Sequence, residues 1–107
     1  MESEQVVAAL SALAQPTRLA IFRQLVVCGP EGMAAGQLAE KLNVSAANMS
    51  FHFKTLSHAG LIVPRQDGRY VYYAANFAAM NGIVAYLTEN CCGGNMDACR
   101  EPGNSCQ

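Results

Sequence analysis

The sequence predicts a mostly helical α+β domain, a winged helix-turn-helix that pairs with a second copy of itself. Three observations carry that expectation. Two short helical segments meet at Asn43-Val44-Ser45, and a tight hairpin signal follows, Asp67-Gly68 between two β-rich runs. The chain is 51% hydrophobic and only 14% charged, against about 25% charged in an average domain. One domain of 107 residues cannot easily bury that much apolar surface alone, so a subunit interface is expected.

Each element has a local cause. Val6, Val7, Leu10 and Leu13 recur at helical spacing, which predicts an amphipathic first helix from Glu2 to Ala14. Pro16 suits the first turn of a second helix, where its missing N–H has no helical partner to lose. Leu19, Phe22, Leu25 and Val26 are expected to form that helix's buried face, and Gly29-Pro30 ends it. A short third helix fits Ala34 to Leu42, with Leu38 and Leu42 inward and Asn43 in the left-handed turn that closes it. Ser45 caps a fourth helix. Asn48, rather than Glu or Gln, leaves its capping box half made. Met49, Phe53 and Leu56 share one face of this helix. It ends at Gly60, with Leu56 and Leu61 at the two positions that touch in a Schellman cap.

The period then changes. Leu61 to Gln66 and Arg69 to Ala74 read as strands joined through Asp67-Gly68, a dipeptide that suits the two positive φ angles of a type I′ turn. Pro64 places its strand at a sheet edge or beside a bulge. A last helix covers Asn76 to Asn90, and Phe77, Met80, Val84 and Leu87 form a seam suited to a partner helix. Cys28, at the end of an apolar run, reads as a small core hydrophobe. Residues 1–90 thus form the folded domain. Residues 91–107, rich in Gly, Pro and Asn, are expected to be a flexible tail whose chemically strong groups are thiols.

Composition excludes several functional classes. No run of about 18 apolar residues exists, so no membrane span is expected. The first residues, Met1-Glu-Ser-Glu-Gln, lack a basic and then apolar leader, which makes the cytoplasm the expected location. The net charge is -1, but it is unevenly placed. Arg18, Arg23, Lys41, Lys54, Arg65 and Arg69 outweigh Glu31, Glu40 and Asp67 in the middle of the chain, between acidic ends. That pattern is compatible with a nucleic-acid face.

The helix-turn-helix unit defines which residues would form that face. Its second helix enters the major groove, with its N-terminal residues at base edges. The outward positions are Ala46, Ala47, Asn48, Ser50, Phe51, Lys54 and Thr55. Asn48 can pair bidentately with adenine, Ser50 can meet a base or a phosphate, and Lys54 is a phosphate ligand. The hairpin tip carries Arg65 and Arg69, where a wing would meet the backbone or the minor groove. His52, one turn before the inward Leu56, is expected to be a structural hydrogen bonder rather than a base reader.

Five cysteines are present, and Cys91, Cys92, Cys99 and Cys106 crowd the last 17 residues. In a reducing compartment, clustered thiols bind metal or sense oxidants. No C-x-x-C occurs, so neither a zinc ribbon nor a thioredoxin-like motif is present. No Gly-rich anion loop surrounds a cysteine within the folded body, which argues against a thiol enzyme.

Taken together, Leu13-Ala-Gln-Pro-Thr-Arg-Leu, Gln37-Leu-Ala-Glu-Lys-Leu, Met49-Ser-Phe-His-Phe-Lys-Thr-Leu-Ser-His-Ala-Gly-Leu-Ile and Asp67-Gly-Arg-Tyr-Val-Tyr-Tyr resemble the ArsR/SmtB family of metal-responsive repressors over roughly residues 5–90. The resemblance implies a homodimer built from the first and last helices, making Val6, Leu10, Phe77, Met80, Val84 and Leu87 the candidate dimerisation residues. It also implies a repressor that leaves double-stranded operator DNA when a metal or metalloid binds. Two sensor types of that family have no counterpart here. Gly32-Met-Ala-Ala-Gly-Gln-Leu lacks the thiol pair of one branch, and Phe77 to Glu89 contains neither His nor Asp. Thr88-Glu-Asn-Cys-Cys-Gly-Gly instead resembles the branch that senses trivalent arsenic through a vicinal pair and a third cysteine, which match Cys91, Cys92 and Cys99. Cys106 is the alternative third ligand.

The chemistry suits that match. Arsenite and antimonite are soft centres that exchange oxygen for thiolate, and cysteine is the soft ligand that selects such ions. As(III) or Sb(III) is therefore the expected inducer, and no organic cofactor is expected. Two rivals share the same DNA-binding body: a thiol redox sensor, and a sensor of Cd(II), Pb(II) or Hg(II).

Overall fold

The computed structural model describes residues 1–94. Its order is α1 (Ser3–Leu13), α2 (Pro16–Cys28), β1 (Met33–Ala34), α3 (Ala35–Leu42), α4 (Ala46–His58), β2 (Ile62–Asp67), β3 (Tyr70–Ala75) and α5 (Phe77–Leu87), then a 3₁₀ turn at Cys91–Gly94. This is the winged helix-turn-helix: α3 and α4 form the helical pair, and β2 and β3 form the wing. No helix among the described residues is long and apolar enough to cross a membrane.

Local chemistry sets the helix ends. Gln5 Oε1 accepts from the Glu2 N–H at 2.8 Å, and Gln15 caps α2 by accepting from the Arg18 N–H at 2.8 Å, with Pro16 in its first turn. Asn43 takes the left-handed conformation, φ 55°, between α3 and α4. Ser45 then accepts from the Asn48 N–H at 3.2 Å. At the far end of α4, the Leu61 N–H reaches the Leu56 carbonyl at 3.0 Å and the Gly60 N–H reaches Ser57 at 3.0 Å. Those two bonds, with Gly60 at φ +76°, are the expected Schellman cap, and Leu56 and Leu61 are both fully buried.

The core is one cluster. Ile21, Leu25, Leu38, Met49, Leu56 and Leu61 are its largest fully buried side chains. Ala9 and Ala12 join it from α1, Phe53 from α4 and Ile83 from α5. The expected inward faces need three corrections. In α2 the buried set is Ile21, Phe22 and Leu25, while Leu19 is 44% exposed. Leu19 lies six residues before Leu25, which turns it about 120° away at ~100° per residue. In α1 the residues packed inward are Val6, Ala9 and Ala12, and Val7 and Leu10 point outward. Cys28 is only half-buried, with Gln24 Nε2 3.7 Å from its sulfur, so it is not a core hydrophobe.

The sheet also differs from expectation. It has three antiparallel strands in the order β1-β3-β2, because Met33 pairs with Tyr73 and Ala34 with Tyr72. A two-residue strand is too short to show a period in the sequence. Gly32 makes the approach possible: it sits at φ +75°, and a Cβ there would run into the Tyr73 carbonyl. Pro64 stands in β2, at the sheet edge, as predicted. The hairpin turn falls one residue later than expected. Asp67 pairs with Tyr70, so the loop is Gly68-Arg69. Only Gly68 has positive φ there, the pattern of a type II′ turn, which needs glycine at its first central position alone.

The last helix is shorter than predicted. Asn76 caps it, its side chain accepting from the Ala79 N–H at 3.1 Å and donating to the Gly60 carbonyl at 2.9 Å. α5 stops at Leu87, and Asn90 turns the chain with φ 59° into the Cys91–Gly94 turn.

Candidate nucleic-acid interface and thiol turn

α4 is held by one stripe and offers the opposite one. Met49, Phe53 and Leu56 are buried, and the Phe53 ring stacks on Tyr73 of the wing with centroids 4.3 Å apart. The expected outward residues Ala46, Ala47, Asn48, Ser50, Phe51 and Lys54 are all exposed. Phe51 is an exposed aromatic at 64%, set edge-on to His52. Thr55 is half-buried, and its hydroxyl donates back to the Phe51 carbonyl at 3.1 Å. The first-turn N–H groups of α4 point out of the same end, where an anion is favoured.

Behind this face, His52 has the structural surroundings expected of it. Its Nδ1 lies 3.5 Å from Arg18 Nη1, while Arg18 Nε donates to the Ala12 carbonyl at 2.6 Å. Desolvation, and then the Arg18 charge, hold the His52 pKa below its ordinary value of 6.5.

The two wing arginines are placed differently. Arg69 is in the exposed turn. Arg65 sits within β2 opposite Tyr72, with its guanidinium carbon 4.7 Å from the Tyr72 ring centroid. Its Nη2 donates to the Glu31 carbonyl at 3.2 Å, and its Nη1 is 3.7 Å from Asp67 Oδ2.

The expected dimer residues also divide. Leu10, Val84 and Leu87 are exposed at 41%, 55% and 60%, and Phe77 and Met80 lean against the core. Val6 is only 3% exposed, so its own chain already covers it. Val7 and Tyr86 are further exposed apolar side chains on the same two helices, beyond the six residues expected at the dimer interface.

Of the thiols, Cys91 and Cys92 occupy the 3₁₀ turn just past α5, and the Cys91 N–H donates to the Thr88 carbonyl at 2.9 Å. Cys99 and Cys106 lie outside the described residues. Among the described residues no three His, Cys, Asp or Glu side chains group as a metal site.

An exposed helix capped by Ser45, pinned from behind by Phe53 stacking on Tyr73 of the wing, defines a protein of the winged helix-turn-helix class. Residues 13–65 match a helix-turn-helix domain family. The regulator YgaV of Escherichia coli is 33% identical over 90 residues, covering 84% of this chain and 89% of that protein. YceK of Bacillus subtilis, an uncharacterised helix-turn-helix regulator, is 46% identical over 61 residues, covering 57% of this chain and 60% of YceK. The matches thus span less than two thirds of YceK and of the Rhizobium meliloti nodulation protein NolR. An ArsR-like regulator from Rhodococcus superposes with a TM-score of 0.72 at 28% identity, over 88% of this chain and 84% of that one. The chain belongs to the ArsR-type family of helix-turn-helix transcriptional regulators. Members of that family bind DNA and are not enzymes.

Proposed function

We propose that the protein is a cytoplasmic homodimeric repressor that leaves its operator when As(III) or Sb(III) is captured by Cys91, Cys92 and a third cysteine, Cys99 or alternatively Cys106. The observation that carries this reading is the position of the vicinal thiols. They follow α5 after three residues, and α5 bears the exposed seam of Val84 and Leu87. Ordering the chain at that turn therefore acts at the end of the helix that joins the two copies. A relative from Halobacterium salinarum, 35% identical over 82 residues, has a name that ties it provisionally to repression of an arsenical resistance operon.

In this reading Asn48 and Ser50 meet base edges and Lys54 and Arg69 meet phosphates. Phe51, Ala46 and Ala47 make apolar contact with the groove wall. Two reading helices must reach successive major grooves about 34–36 Å apart, so a small change in their separation weakens both. Moving the population from 99% bound to 99% free requires about 5.5 kcal/mol of differential affinity.

A gel shift on the DNA upstream of the protein's own gene, in anaerobic reducing buffer at stated salt, tests the reading. The protein retards the fragment, and arsenite releases it. Cys91→Ser binds equally well but is not released. Release that persists in Cys91→Ser refutes the site. Release by peroxide instead of arsenite, or by Cd(II), Pb(II) or Hg(II) alone, refutes the inducer.

A further inference from the structure

We propose that Arg65 is a positioning residue that braces the wing against the body, leaving Arg69 as the wing's own phosphate contact. This assignment rests on the DNA-binding reading above and divides a pair of arginines that the sequence treats alike.

The wing needs a brace. β1 covers β3 only at Tyr72 and Tyr73. Gln66 and Asp67 with Tyr70 and Val71 are therefore left as a ribbon of two strands only, and such ribbons are marginal in water. Arg65 stands where the ribbon leaves the body. Its planar guanidinium lies over Tyr72 on the neighbouring strand, donates to the Glu31 carbonyl 34 residues back in the chain, and faces Asp67. These contacts need a flat fork with several donors, which an ammonium cannot copy. The Glu31 carbonyl is presented because Gly32, at positive φ, lets the turn after α2 lie against Tyr73. Arg65 is thus engaged on its face, on one nitrogen by the body and on the other by its own strand. Arg69 stands at the exposed turn beyond it.

The test compares Arg65→Gln, Arg65→Lys and Arg69→Gln by two measurements. The first is affinity for the upstream duplex across a salt series. Each phosphate contact contributes about -0.9 to the slope of log K against log salt. Arg69→Gln is expected to flatten the slope by about that amount for each head that loses its contact. Arg65→Gln is expected to weaken binding several-fold at unchanged slope, and Arg65→Lys to weaken it as much, because its retained charge cannot restore the fork. A flattened slope in Arg65→Gln, or wild-type affinity in Arg65→Lys, makes Arg65 a phosphate ligand and overturns the proposal. The second measurement is amide hydrogen exchange in the DNA-free protein. Both Arg65 variants are expected to speed exchange at Asp67 and Tyr70, the pair that closes the hairpin, several-fold while the amides of α2 and α4 keep their protection. Unchanged exchange at the wing tip overturns the brace. If the wild-type protein binds no duplex, the DNA-binding reading fails, and exchange still decides the brace.

Discussion

Arg18 Nη1 stands 3.5 Å from His52 Nδ1, and the same guanidinium holds the Ala12 carbonyl at the end of α1. One side chain of α2 therefore touches both the helix that carries Leu10 and the helix that carries the exposed stripe of Asn48, Phe51 and Lys54. The contact requires a neutral imidazole with Nδ1 as acceptor, because a protonated ring would face a second cation.

That relationship sets a pH dependence. The His52 pKa is lowered in the folded protein, by desolvation and then by Arg18. Between the folded value and about 6.5 the unfolded chain binds more protons, so stability rises with pH there. Stability is expected to be fully present above about pH 6.5 and to be lost as pH falls through that value. Thermal unfolding of wild type and His52→Gln between pH 5 and 8 checks this. The variant's midpoint is expected to fall less steeply on acidification.

Two glycines at positive φ separate backbone strain from collision. A Cβ at Gly60 meets nothing within 4 Å, so Gly60→Ala is expected to cost about 1 kcal/mol from left-handed strain alone. Gly32→Ala adds an overlap with the Tyr73 carbonyl and is expected to cost clearly more, by prising β1 from β3. Urea unfolding of both variants measures the difference.

Two phenylalanines two residues apart on α4 make opposite predictions. Phe53 is 5% exposed and stacked on Tyr73, so Phe53→Ala is expected to lose about 3–5 kcal/mol of stability. Phe51 is mostly solvent-exposed, and Phe51→Ala is expected to stay within about 0.5 kcal/mol of wild type while weakening DNA binding. Denaturation and a gel shift on the same samples distinguish the two roles.

The proposed dimer seam is open to a charge test. Val84 and Leu87 are more than half exposed in the single chain, so Leu87→Glu should leave the fold intact. Burying a leucine contributes about 1.5–3 kcal/mol. The dimer dissociation constant is therefore expected to rise at least about tenfold. Sedimentation equilibrium over a concentration series measures it, and an unchanged constant removes Leu87 from the interface.

What could be read along the chain was whatever depends on neighbours a few residues apart. Ser45 and Asn48, Leu56 and Gly60-Leu61, Pro16, and Met49 with Phe53 settle their geometry through bonds within one turn of helix, so residue type and spacing were enough. The exposed stripe of α4 followed from its buried one. Even the hairpin was legible, although the glycine moved the turn on by one residue, since strand register is decided by what the strands pack against.

The sequence by itself determined the helices, their caps, the wing and the exposed stripe of α4, because those follow from short-range hydrogen bonds and apolar period. Only the tertiary structure decided that Val6 and not Val7 turns inward, that Ala9, Ala12 and Ile83 belong to the core, that Met33–Ala34 adds a third strand, and that Arg65 reaches Glu31 and Arg18 reaches His52. Each of these joins residues far apart in the chain. Such partners are selected by how whole elements pack, and a spacing rule along one element contains no information about the surface another will present to it.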